Sequence, residues 1–169
     1  MKKLISSIML VSLVGMIFAT GVGALDSGVI GATVTGEVVA VTVLDGTVAY
    51  ESMAVNTTKN TVNMVDTQTI TNTGNVAEDF TIKGTDVSGG WAIGPVASSD
   101  VYFHGSCIDL TGGCDAAGEY AAMTNGYTAL VSDKAPLGTT TLDLWINTPT
   151  VNTKTAQQAV NVTVLATKH

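Results

Sequence analysis

The sequence predicts an all-β protein: one antiparallel β-sandwich with a single short helix, behind a cleaved leader. Three observations carry this. Short β-branched runs recur along the chain, separated by Gly, Pro, Asn and Asp. Several of them alternate apolar and polar residues, the period of a strand with one buried face. Thr, Val, Ala and Gly are abundant, a composition that suits extended structure and disfavours long helices.

Lys2 and Lys3 precede an apolar run from Leu4 to Ala19, and Val22-Gly23-Ala24 follows. A positive start, an apolar stretch and a small-x-small site predict a signal peptide over residues 1–24. The run falls short of the roughly 20 apolar residues that a membrane span needs. No Cys stands near the cleavage site to take a lipid, and no sorting signal is visible at the C-terminus. The expectation is a secreted or cell-surface protein with no stable membrane span after cleavage. About 145 residues then remain, one domain's worth with a real core. The full chain carries formal charge −7 and no arginine. Losing two lysines takes it to about −9, so phosphate backbones and anionic membranes find no electrostatic footprint.

Residues 25–36 read as an N-terminal arm, and 37–169 as the sandwich. Within the arm, Val29, Ile30, Ala32 and Val34 could form a short strand donated to a neighbour. Val38–Val43 is apolar at both parities, which predicts a strand covered on both sides or central. Asp45-Gly46 is a turn pair, and Thr47–Tyr50 a short extended piece. Thr61–Thr71 is read as extended, leading into the stretch Thr67–Gly84. That stretch predicts a hairpin: a β-branched first half, turn chemistry at Asn72, Thr73, Gly74 and Asn75, and an alternating second half. Val76, Phe80 and Ile82 face in. Glu78 shares their parity, so regular pairing is expected only after it.

Trp91 is read as a core plug at a strand start. Val101 and Phe103 point one way, Tyr102 and His104 the other, and this second pair is expected outward. Asp115–Thr124 is the expected short helix, and Tyr127–Ser132 fits either a helical turn or a strand. Leu142, Leu144 and Ile146 are expected inside, with Asp143, Trp145 and Asn147 outside. In the last strand, Gln158–Ala166, the residues Val160, Val162 and Val164 face in.

Cys107 and Cys114 predict a disulfide over a short loop, as befits an exported chain, ahead of a metal pair for which His104 is the sole other ligand nearby. No His-Glu-x-x-His, Gly-x-Ser-x-Gly or Walker loop is present, and no enzymatic role is expected. Asp109, Asp115 and Glu119 are weak oxygen ligands for calcium, weighed against a plain solvated loop. No other cofactor is implied. Tyr102, Tyr120 and Trp145 are candidate outward aromatics for a glycan or a partner surface. Asn56-Thr-Thr58 and Asn161-Val-Thr163 match the glycosylation acceptor pattern.

The run Thr71-Asn-Thr-Gly-Asn-Val-Ala77, followed by Phe80–Gly84 and Trp91, resembles Ig-like modules of prokaryotic exported and surface proteins. Pro136–Leu144 resembles the turn and amphipathic strand that close such domains. A leader directly before one acidic sandwich is similar to the TasA/camelysin-type secreted proteins, some of which polymerise by donating an N-terminal strand. The resemblance implies an Ig-like sandwich, a prokaryotic source and a non-catalytic subunit of an extracellular filament, matrix or surface layer, with self-association or another surface protein as partner. The alternative is a secreted module that binds carbohydrate or a surface partner.

Overall fold

The computed structural model describes residues 31–108 and 113–169, so the leader and part of the Cys loop lie outside the described residues. Two compact units are recognised, residues 1–34 and 35–169. In the first, the described residues Gly31–Val34 form no regular structure, and Val34 is almost fully exposed. Val29 and Ile30 lie outside the described residues.

The second unit is a β-sandwich. Its larger sheet runs β1 (Val41–Leu44), β3 (Gln68–Asn72), β9 (Thr139–Asn147), β6 (Val101–Ile108), β5 (Ala92–Gly94). In the same sheet β2 (Thr58–Asn60) pairs with β9, and β7 (Ala121–Ala122) with β6. The smaller sheet is β10 (Val162–Lys168), β4 (Glu78–Gly84), β8 (Thr128–Lys134). The pairs are antiparallel except β5–β6, which is parallel. Ile70, Phe80, Ile82, Met123, Leu142 and Leu144 fill the space between the sheets. Alternation places them there: every second residue of β3, β4 and β9 points to the partner sheet.

Several expectations are corrected. Thr67–Gly84 is not a hairpin, because β3 and β4 belong to different sheets. The segment between them is an arch that carries the chain across the sandwich. None of Asn72, Thr73, Gly74 and Asn75 has a positive φ. Gly74 is required for close approach instead: a Cβ there would stand 2.3 Å from both Glu78 Oε1 and Val38 O. Glu78 is fully buried and pairs in regular register with Lys168 on β10, which corrects the expectation on that side. Towards β8 it faces Lys134, but the register shifts between Glu78 and Phe80 and again between Phe80 and Thr81, so there regular pairing begins only after it, as expected.

The Val38–Val43 run is neither central nor doubly covered. β1 is an edge strand, and its exposed flank includes Val38, Val39 and Leu44. Thr61–Met64 is a helical turn (α1) rather than extended, capped by Asn60, whose side chain accepts from Asn63 N at 2.7 Å. It ends at Val65 in the left-handed region. The helix expected at Asp115–Thr124 contracts to a 3-10 turn at Ala117–Glu119. Thr47–Tyr50 is irregular, whereas the open choice at Tyr127–Ser132 resolves as β8. Leu142, Leu144 and Ile146 are buried as expected, but so is Asp143. It accepts hydrogen bonds from Thr61 Oγ1 at 2.7 Å and Thr67 Oγ1 at 2.6 Å, beneath α1.

Candidate functional site

Two surfaces and one clamp stand out. The clamp is built by the 72–78 arch. Buried Asn72 donates through Nδ2 to Val76 O and Lys134 O, both at 2.8 Å, while its Oδ1 accepts from Gly74 N. Asn75 reaches outward: its Oδ1 accepts from Val38 N, its Nδ2 donates to Gly36 O, and its backbone N–H donates to Val38 O. Thr73 N and Gly74 N both donate to Ala40 O, and Ala40 N donates to Glu78 Oε1. An exposed ion pair between Glu37 and Lys168 adds a tie to β10. The polar pattern that reads as a hairpin turn therefore holds residues 36–40.

The first surface is the seam between the sheets where β1 and β10 meet. Each pairs on one side only, β1 with β3 and β10 with β4, so each presents a free edge among the described residues. Between the sheets at this side lies a cavity of about 200 Å³. Val43, Val48, Val160, Val162 and Val164 make its wall apolar, and Gln68, Tyr50 and His104 supply the polar contacts. His104 is corrected from outward to fully buried. Its Nε2 lies 3.0 Å from Tyr50 Oη, and its Nδ1 has no partner among the described residues. Burial pushes the imidazole down to about 4, so it is neutral near pH 7. The same desolvation pushes the Tyr50 phenol well above its ordinary 10, with the Asp66 charge adding to the effect.

The second surface is the outer face of the larger sheet around Trp145. Of the three aromatics expected outward, only Trp145 faces out, half-buried. Tyr102 is wholly buried, donating to Thr85 O at 2.7 Å. Tyr120 is also buried; it donates to Cys114 O at 2.6 Å and packs on Trp145 with ring centroids 5.3 Å apart. Alternation alone could not reveal that a loop folds back over this face. Gly105 leaves the room: a Cβ there would meet Tyr120 Cβ at 2.8 Å. Cys107 and Cys114 are bonded, S–S 2.05 Å, and pack with Tyr120 and Trp145 as a small second core. Trp91, expected as a core plug, is half-buried at the edge, tilted against Tyr102, with Nε1 donating to Asn152.

The calcium candidates do not converge among the described residues. Asp115 is exposed, Glu119 accepts from Ala116 N at 2.8 Å as part of its own turn, and Asp109 lies outside the described residues. No cluster of three His, Cys, Asp or Glu suited to a metal occurs among the described residues. Asn56 and Asn161 are both exposed. No helix among the described residues is long and apolar enough to cross a membrane.

Fold and surfaces together define an all-β, two-sheet sandwich with one disulfide and an open seam. Compared with family models, curated proteins and solved structures, the chain matches none.

Proposed function

We propose that this protein is a non-catalytic, exported structural subunit of an extracellular filament, matrix or surface layer, joined to its neighbours by strand addition at the β1–β10 seam. The observation that carries the reading is the pair of adjacent unguarded edges over a cavity lined by both valines and polar side chains. Natural edge strands are normally blunted by a central Lys, a Pro or a bulge, because free N–H and C=O groups recruit another strand. β1, Val-Thr-Val-Leu, carries none of these, and Leu44 is 69 % exposed. On β10 the one charge is Lys168 at the far end, engaged by Glu37. The occupant is the arm of a second copy, residues 25–35, whose Val29, Ile30, Ala32 and Val34 have the apolar character the seam asks for.

Sedimentation and negative-stain imaging of residues 25–169 and 36–169 test this. The longer chain assembles with rising concentration and the shorter stays monomeric. Monomers in both, at every concentration, overturn it.

A further inference from the structure

The Trp145 face is remote in chemistry from the seam, and strand addition makes no use of it. Trp145 stands on β9 between two shallow hollows of about 210 and 230 Å³. One is bordered by Asn60, Asn63 and Met64, the other by Phe103, Val96 and Asn147. The ring is braced from behind by Tyr120, itself held to Cys114 beside the disulfide, so its orientation is fixed before any ligand arrives. Its indole N–H makes no hydrogen bond with the described residues.

Around the ring the polar groups are amides and hydroxyls. Asn63 and Thr58 are exposed. Asn147 Oδ1 is buried against the second hollow and has no hydrogen-bond partner among the described residues. A buried acceptor left unpaired is costly, and a hydroxyl donor entering the hollow relieves it. Lys59 borders the first hollow, but its Nζ donates to Tyr50 O. The chain as a whole is acidic, which disfavours anionic ligands.

We infer that Trp145 is the stacking platform of a binding site for an uncharged oligosaccharide. A pyranose offers an apolar C–H face to the indole and a rim of hydroxyls to Asn147, Asn63 and Thr58. A rigid aromatic face with a collar of adaptable amides and no free charge matches that chemistry. A protein partner would need a broader apolar surface than this single ring between hollows, since stable interfaces cover about 800 Å² on each side.

The test is indole fluorescence of residues 36–169 carrying Trp91→Phe, so that Trp145 is the only tryptophan. Omitting the arm separates this question from assembly. Neutral β-glucan, chitin and mannan oligosaccharides are titrated against polygalacturonate as the anionic control. A saturable change with at least one neutral series is expected, with no response to polygalacturonate. Binding is then followed by calorimetry with Trp145→Ala and Asn147→Ala, each expected to weaken it roughly tenfold or more. Asn147→Ala keeps the test alive where Trp145→Ala fails to fold. No response to any neutral series, or equal binding by Asn147→Ala and a folded Trp145→Ala, overturns the proposal. So does a sugar-independent dimer that Trp145→Ala abolishes, which would make the face a contact between copies.

Discussion

At the arch between β3 and β4 nearly every polar group finds a partner inside the domain. Along the β1–β10 seam two strand edges are unpaired among the described residues, beside a cavity of mixed lining. The arch is directional: the Asn72 side chain alone makes three hydrogen bonds, and the backbone of residues 36–40 is held by Asn75, Gly74 and Glu78. The seam mixes valine surface with a few polar groups, and its strand edges make no such commitments among the described residues. A buried polar network has one satisfactory arrangement, whereas an apolar edge accepts any strand of suitable pattern. One region fixes the domain, and the other is where the proposed assembly would join it to a neighbour.

The contrast breaks most readily at Asn72. Asn72→Ala strands Val76 O and Lys134 O, while Gly74 N keeps Ala40 O as its acceptor, and a loss of about 3–5 kcal/mol is expected in denaturant unfolding. If the arch is dispensable the loss stays below about 1 kcal/mol.

Acid probes the cavity side. The buried His104 has a folded-state pKa depressed from 6.5 to about 4, so the unfolded chain binds the extra proton first. Stability is fully present above 6.5 and falls as the pH drops towards 4, by roughly 3 kcal/mol in all. The double variant Tyr50→Phe/His104→Leu removes both partners together and should flatten this slope in unfolding measured from pH 7 to 4. An unchanged slope assigns the acid sensitivity elsewhere.

Reducing the Cys107–Cys114 bond should cost about 2–3 kcal/mol, since it closes a short loop. Near-ultraviolet dichroism should report the loosening of Tyr120 from Trp145, while the arch, far away in the hydrogen-bond network, keeps its amide protection.

The smallest effect sits beside the arch, where His169 Nδ1 lies 2.8 Å from Asp79 Oδ1. Asp79 is held below its ordinary value first by the Asp133 N–H and then by His169, and its hydrogen bond raises His169. This contact is therefore strongest between the ordinary carboxylate and imidazole values. It is lost as pH rises through the raised imidazole pKa, and again as pH falls through the lowered carboxylate pKa. His169→Ala should lower Tm slightly at pH 5.5 and not at pH 8.5; equal shifts at both would show that the ion pair is not the cause.

Sandwich class and the inward positions of β9 and β10 were legible because alternation reports directly on which face is buried. Partner choice was not legible. A run of Asn, Thr and Gly between two strands reads alike for a hairpin and an arch, and only long-range acceptors such as Val38 O and Ala40 O distinguish them. Alternation also separated Tyr102 from Phe103 correctly, but the side expected to face out, Tyr102 with His104, is the buried one. Asp143 escaped because a carboxylate on an outer face looks solvated until a helical turn with Thr61 covers it. Around Trp145, the residue was legible as outward; the bracing by Tyr120 and the space left by Gly105 come from a loop that local periodicity does not describe.

Amide hydrogen exchange on β1 and β10 tests the central claim most directly. In residues 25–169 at concentrations where assembly occurs, the outward amides of one of these edges should exchange about tenfold or more slowly than in residues 36–169. Identical exchange at both edges in the two chains would contradict an arm seated in the seam.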